Sequence, residues 1–586
     1  MAPFYPQWSA STKPQQRTAT LWRMKKAYVL SIALLLLVGC DESPDPGPLQ
    51  PDAGPGFDGP VPTYHEDVAP LIARECLSCH VEGGIGPFEL DSYAEVERHG
   101  EVVAEAVMIG YMPPWLPDRE CRQYAHERGL STEEREVFDH WVAGGMPEGD
   151  PADAPPPPVD ETPVLEATHV ARMAEPYMPD ASVPDDYRCF ILDHVFEADS
   201  FLVGRNVIPG QSALVHHVLT YAVPPDAFGE IEAADAADDG PGYTCFGGPV
   251  PDAGGEGNGG SLSLIGMGGW VPGAVPVIAR EGQGVYIPAG SRVVMQVHYN
   301  LLASEPAPDS TELHMAITTE EPEHLVTTFP TAILDLNIRA GAPETVHTST
   351  FRNWRSEPMT IVGFTPHMHL LGTRIALERV PAGGSDPDAC LIDVPRWDFN
   401  WQQSYGVREG EEITLMPGEG LRLTCEYDNS VSNQPVVNGE QVEPRDVEWG
   451  EGTLDEMCLL YVAEQTEWTG EPPPLGCEAA DDCLAACEAT DAECLLSCEG
   501  LAAGCRICTM ESTLGCARDT CLGAYAPAAS CFDTCLTSWA IMGGSFVSCM
   551  RADCDAAWPG IAECVQGVID AGTCDAQMTE CGLPAR

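Results

Sequence analysis

Between about residues 164 and 470 the chain is built of short apolar runs divided by Gly, Pro and Asp turns. SALVHHVLTYAV, SRVVMQVHYN, PMTIVGFTPHMHLL and LRLTCEY are examples. Runs of this length at this spacing predict strands of β-sandwiches. Roughly 300 residues is long for one sandwich, so two are expected, at 164–327 and 328–470. Before them, at 61–150, the pattern becomes helical, with an apolar-periodic helix over Thr132–Ala143. The run PADAPPPPVDETP at 151–163 is a stiff polyproline spacer between these textures. After residue 470 the pattern changes again. Sixteen cysteines fall between Cys477 and Cys581, with i, i+4 pairs at Cys483/Cys487, Cys494/Cys498 and Cys531/Cys535. That spacing puts both sulfurs on one helix face and predicts a helical domain at 471–586 stapled by disulfides. A metal cluster is the alternative, but the segment lacks histidine. The expected fold is therefore multidomain and mainly β, with a small α-helical domain before the sheets and a disulfide-rich helical domain after them.

The start of the chain changes where this protein must work. Met24-Lys25-Lys26 precedes the apolar run Ala27–Gly39, which is too short to span a bilayer as a helix and suits a signal peptide. Leu37-Val38-Gly39-Cys40 resembles the lipobox of bacterial lipoproteins, which implies that residues 1–40 are a leader and that Cys40 carries lipid. Residues 41–60, rich in Pro, Gly and Asp, form a tether. The expected location is the bacterial cell envelope, periplasmic or at the surface, with the membrane reached through the anchor. Twenty-five cysteines in 586 residues fit an oxidising compartment.

Charge excludes one class of partner. The 29 basic and 90 acidic residues give a formal net charge of −61, and every lysine (Lys13, Lys25, Lys26) precedes Cys40. Such a surface repels phosphate backbones, so nucleic acid is not a partner.

Cys76-Leu77-Ser78-Cys79-His80 is a C-x-x-C-H motif. Two thiols at this spacing can form thioethers to a haem while the adjacent imidazole ligates its iron. A redox dithiol or half a zinc site is the alternative. The segment resembles small class I c-type cytochromes over about 90 residues. That resemblance implies a methionine ligand on a loop before the last helix, and Met112 is the matching position, with Met108 and Met146 as competitors.

Four patterns in the β region carry metal-ligand chemistry: His216-His217, His298 in MQVHYN, His367-Met368-His369, and Asp455-Glu456-Met457-Cys458. His367 and His369, two apart, face one side of a strand and can share a metal. His216 and His217 face opposite sides of a regular strand, so both reach one ion only at a strand end or a bulge. Imidazole suits copper or zinc, and a thioether selects Cu(I).

In this order VHHVLTYAV, MQVHYN, PHMHLLG and DEMCLLY resemble the copper type II, ascorbate-dependent monooxygenases, which include peptidylglycine α-hydroxylating and dopamine β-monooxygenases. The resemblance spans about 164–465. It implies two tandem β-sandwiches, each holding one copper, across a solvated cleft. His216, His217 and His298 would hold an electron-transfer copper, and His367, His369 and Met457 the copper where dioxygen reacts. Tyr461 matches a tyrosine near the substrate and Gln296 a residue beside the first copper. Cys189 with Cys245, and Cys425 with Cys458, match family bridges, while Cys121 and Cys390 have no assigned partners. Thr365 stands where peptide-hydroxylating members carry a substrate-binding arginine, so a peptidyl-glycine substrate is not expected.

The resulting expectation is a monooxygenase that hydroxylates a C–H bond of a small substrate with O2. Electrons would come from an outside donor through the fused haem to the histidine copper, replacing or supplementing ascorbate. The spacer at 151–163 would set the haem's reach. The rival is a non-catalytic extracytoplasmic copper and haem redox protein.

Overall fold

The computed structural model describes residues 60–473, apart from 82–83, 85, 157–163, 184, 226, 246–247, 250–263, 302–305, 438–439 and 451, together with scattered positions between 521 and 571. The leader, Cys40, the tether and the cysteine pairs at 483/487 and 494/498 lie outside the described residues, as does Cys531. Among the described residues no helix is long and apolar enough to cross a membrane.

Three helical stretches follow Pro60: Tyr64–Val68 with Ala69–Glu75, then Tyr93–Met108, then Thr132–Ala143. The last begins where Ser131 and Glu134 exchange side-chain and backbone hydrogen bonds, a reciprocal cap that satisfies two otherwise orphaned N–H groups. In the middle helix Val96, Gly100, Val103, Ala104 and Val107 are buried, three and four residues apart, so one stripe faces the other helices. Gly100 lets the helix approach closely there, since a Cβ would sit 2.6 Å from Met146 Sδ and make that side chain shift.

The rest is predominantly strand. A five-stranded antiparallel sheet runs in the spatial order Tyr243–Thr244, Asp185–Val195, Arg292–Asn300, Val215–Val223, Ile265–Trp270. A four-stranded sheet holds Thr345–Arg352, Gly420–Tyr427, Gly372–Val380 and Ala389–Val394. The largest sheet has ten strands and passes from residues before 320 to residues after it. Its crossing point is a short parallel pairing, His324 with Gln283 and Leu325 with Gly284. Beyond that point Leu459–Glu467 lies between His324–Ala332 and Met359–His367. One apolar core is built from residues between Ala171 and Met315, and a second from residues between Phe329 and Val462.

The second core also contains Tyr124, which belongs in sequence to the helical segment. Residues 115–125 leave the helices and lie across the second core as a strap. Trp115 and Leu116 pack on it, Tyr124 Oη donates to Leu391 O at 2.7 Å, and Ala125 N donates to Gly406 O at 2.8 Å. Cys121 is bonded to Cys390 across 269 residues of sequence. The helical module is thus stapled to residues 390–411, and its reach is not set by the Pro-rich spacer. A spacer limits distance only when its two ends are otherwise free.

Cys189–Cys245, Cys425–Cys458, Cys521–Cys564 and Cys535–Cys549 are further disulfides. Among the described cysteines only Cys76 and Cys79 are unpaired. Disulfides in this number are consistent with an extracytoplasmic location.

If the Cys121–Cys390 bond restrains the unfolded chain as long-loop disulfides do, Cys121→Ser will cost about 2–4 kcal/mol of unfolding free energy. Urea titration of the variant measures this, and an unchanged midpoint would mean that the strap's own contacts hold the module.

Candidate metal centre

The first histidine group forms on the central strand of the five-stranded sheet. His298 lies opposite Tyr187 on one neighbour and His217 on the other. Between Val215 and His217 the register slips by one residue, leaving His216 as the extra member of a bulge. A bulge re-aims one side chain, and here it removes the obstacle posed by adjacent histidines on a regular strand. His217 Nδ1 comes to 3.3 Å from both His216 Nδ1 and His298 Nδ1. The candidate ligand atoms of the three lie within 4.8 Å of one another.

The tautomer of His298 follows from its other nitrogen. Nε2 is 2.9 Å from Asp185 Oδ1, an acceptor, so the proton sits there and Nδ1 keeps its lone pair. Tyr187 stacks on this ring at 4.1 Å. Burial, then the neighbouring imidazoles, holds His216 and His217 well below the ordinary histidine range. Neutral imidazoles aimed at one point form a donor set suited to copper or zinc.

The second group is made by two paired strands. His367 lies opposite Leu459 and Thr365 opposite Tyr461. Cross-strand partners point to the same face, so Thr365, His367 and Tyr461 share one. His369 and Met457 lie just beyond the last paired residues of these strands, His367 and Leu459. Glu456, fully buried, fastens these ends together. Its Oε2 accepts from His369 N at 3.0 Å and Met457 N at 3.2 Å, and its Oε1 accepts from Leu371 N at 2.6 Å. Burial pushes its carboxyl up to about 8, against the pull of those N–H groups. The Cys425–Cys458 disulfide and a bond from Tyr427 Oη to Met457 O at 2.9 Å brace the same loop.

Both rings of this group have their protons assigned by acceptors. His367 Nδ1 donates to Gln402 Oε1, whose own Nε2 donates to Phe399 O at 2.9 Å. His369 Nδ1 donates to Asp455 O at 3.1 Å. Each Nε2 is left as the ligand atom, the opposite choice from the first group. Burial lowers His367 to about 4 and His369 to about 3. Two neutral imidazoles, with the thioether of Met457 on the loop that Glu456 ties to His369, form a soft set that fits copper.

No open cleft separates the two groups. The His217 and His367 ring centroids are 6.3 Å apart. Phe399 stacks on His216 at 4.3 Å and meets His369 edge-on at 6.0 Å. Thr453 Oγ1 donates to Asp185 Oδ1 at 2.6 Å, so the carboxylate that orients His298 also grips the loop leading to Met457. The expectation of a solvated cleft is corrected by these two loops, which occupy the space between the groups.

The remaining expected residues are placed less closely. Gln296 shares a strand face with His298, but its buried amide lies 3.6 Å from Cys245 Sγ. In the helical module His80 Nδ1 lies 2.9 Å from Phe88 O and therefore donates, leaving Nε2 as a ligand atom. Burial, with Glu75 beside it, pushes the Cys76 thiol up to about 12. That is the reverse of what a reactive dithiol needs. Two unpaired thiols beside an oriented imidazole fit covalent haem. Met112 is half-buried on the loop after the middle helix, Met108 is exposed, and Met146 packs into the helical core. Asp185, Phe399 and Gln402 have no motif of their own and are recognised only by what they touch, and Glu456, though inside the DEMCLLY motif, has no role that the motif reveals.

Residues 344–467 match the family model of the copper type II ascorbate-dependent monooxygenase C-terminal domain. The match includes His367, His369, Met457 and Tyr461 and leaves His216, His217 and His298 outside it. No curated protein matches the chain. Among solved structures, the major capsid protein P2 from bacteriophage PM2 is 9% identical over 51% of this chain and 98% of its own, with a TM-score of 0.22. The infectious bursal disease virus Gt strain structure is 11% identical over 55% of this chain and 80% of its own, with a TM-score of 0.12. Neither likeness bears on the site.

Two outcomes follow for metal binding. Asp185→Asn should weaken copper at the first group by about 10–100-fold, the usual effect of losing a partner that orients a ligand, as measured by competition with a chelator. His216, His217, His367 and His369 have lowered pKa values, so they are already neutral at about pH 6, where an ordinary histidine is largely protonated. Copper uptake at that pH should therefore displace almost no protons from these four. Calorimetry in two buffers of different ionisation enthalpy should give nearly equal heats, and a large difference would contradict the burial of the site.

Proposed function

We propose that this protein is a copper-dependent monooxygenase that hydroxylates a C–H bond of a small neutral substrate. The net reaction takes the substrate, O2, two electrons and two protons to an alcohol and water. The observation that carries the reading is the pair of differently built donor sets. One has three histidines whose Nδ1 atoms converge, the other two Nε2 atoms with Met457 on the loop that Glu456 ties to His369, and they lie in ring contact within a chain whose residues 344–467 match the family model. Copper, when bound, supplies dioxygen activation at the thioether-containing set and one-electron exchange at the histidine set.

The chain's own residues do the rest. Asp185, Gln402 and the Asp455 carbonyl hold protons on the outer nitrogens and so aim the lone pairs inward. Phe399 packs against an imidazole of each set. On the face shared with His367, Thr365 donates to Ser404 Oγ at 2.7 Å, and Tyr461 lies opposite. These hydroxyls would orient a neutral group and offer no cation to a carboxylate. Gln296 supports the first group through the disulfide that it touches.

Cys76, Cys79 and His80 would hold a c-type haem with Met112 as second axial ligand, and the haem supplies a one-electron store fed by an outside donor, with or without ascorbate. The two β halves form tandem sandwiches around the copper pair. Export with lipid on Cys40 would keep all of this on the envelope side of a membrane.

Metal analysis of the copper-reconstituted chain, followed by oxygen consumption across a substrate screen, tests the reading. The expected content is two coppers and one iron, and iron without copper would overturn it. Met457→Ala should abolish oxygen-consuming turnover while leaving the haem spectrum and one copper in place.

A further inference from the structure

We infer that the strap at 115–125 is the route by which electrons from the haem enter the copper centre, and that they enter on the His367 side. This rests on the haem reading of Cys76, Cys79 and His80. It differs from entry at the histidine-only group because of where the strap is anchored.

The strap's ties to the rest of the chain fall on residues 390–411. Cys121 is bonded to Cys390, Asp118 N donates to Asp393 O at 2.7 Å, and Arg408 Nε donates to Tyr124 O at 3.2 Å. Arg396 Nη2 reaches back to Gly110 O at 2.7 Å, beside the Met112 loop. This is the segment that supplies the outer support of His367. Trp115, three residues beyond Met112, meets the Tyr405 ring edge-on at 5.3 Å. Tyr405 is buried, and its short strand pairs with Phe364, three residues before His367. Ser404 accepts from Thr365, and Gln402 accepts from His367 itself. One ring contact, the backbone from 405 to 402 and one hydrogen bond therefore join Trp115 to the His367 imidazole. The strap therefore packs against the same segment, 402–405, that supports the ligand.

Each transfer is a one-electron exchange. A haem held by Cys76, Cys79 and His80 would give up one electron and a copper held by His367, His369 and Met457 would take it, with no proton or bond changing hands. Trp115 and Tyr405 are positioning residues in this step. The contact of His217 with His367 then lets the two coppers share what arrives.

The test uses the full chain loaded with haem and copper, reduced at the haem without oxygen and followed by stopped-flow absorbance of the haem band. Trp115→Leu should lose the fast phase of haem reoxidation, and Trp115→Phe should keep it. Both should retain the unaltered haem spectrum, the Cys121–Cys390 bond and full copper content. His369→Ala, which removes the copper of the second group, should lose the fast phase, whereas His217→Ala should retain a fast phase worth one electron. A fast phase that survives Trp115→Leu, or that survives His369→Ala and disappears in His217→Ala, overturns the inference while leaving the monooxygenase reading intact. A copper-loaded chain with no haem band overturns the haem reading, and this inference with it, before any kinetics are run.

Discussion

The buried carboxylate of Glu456 is the interaction on which the second half of the centre depends. A side chain this deep is tolerated only with its lone pairs occupied, and here they are occupied by the N–H groups of the residues that must be held still. His369, Leu371 and Met457 all donate to it. The strand carrying the histidines ends at His367, so His369 lies beyond the last ladder bond. Without Glu456 its backbone would have nothing to fix it against the methionine loop. Removing the carboxylate would leave several buried donors unsatisfied at about 1–3 kcal/mol each. The ligand geometry would be lost with them.

A similar economy connects the two groups. Asp185 serves His298 with the same oxygen that accepts from Thr453, and Phe399 touches an imidazole of each set. These contacts make the orientation of one group sensitive to the position of the other. The opposite tautomers are equally local in cause. Sheet neighbours of the first group leave only an aspartate to meet Nε2, whereas loop carbonyls of the second meet Nδ1. Ligand atom choice is thus dictated by which acceptor the fold leaves nearby.

Much of this was legible in the residues. The strand runs, the helix over Thr132–Ala143 and the four ligand patterns stand out because periodicity and spacing are local properties. What escaped depends on register or on distance along the chain. That His216 and His217 converge follows from a one-residue slip against Tyr299 and His298, more than 80 positions away, which no local pattern records. No local pattern marks residues 115–125 as a strap, and the buried side of Trp115 and Tyr124 shows only in the fold. Cys121 and Cys390 could not be paired because neither lies in a motif. Asp185 is one among 90 acids, and composition hides it, while the DEMCLLY motif contains Glu456 without revealing that its carboxyl is buried.

The Cys121–Cys390 staple also imposes an order on biogenesis. The helical module is made early, but the surface that seats its strap, residues 390–411, emerges from the ribosome nearly 300 residues later. Until then Trp115, Leu116 and Tyr124 have no core to enter, and Cys121 is an unpaired thiol a short way along the chain from Cys76 and Cys79. A chain in an oxidising compartment would face a choice among Cys76, Cys79 and Cys121, and then Cys189 and Cys245 as well, during that interval. Modification or protection of the C-x-x-C-H pair before the later half arrives would remove the wrong pairings, leaving Cys121 to wait for Cys390. Maturation of this protein is therefore a sequence of events in time, with the N-terminal module the first to be synthesised and among the last to be seated.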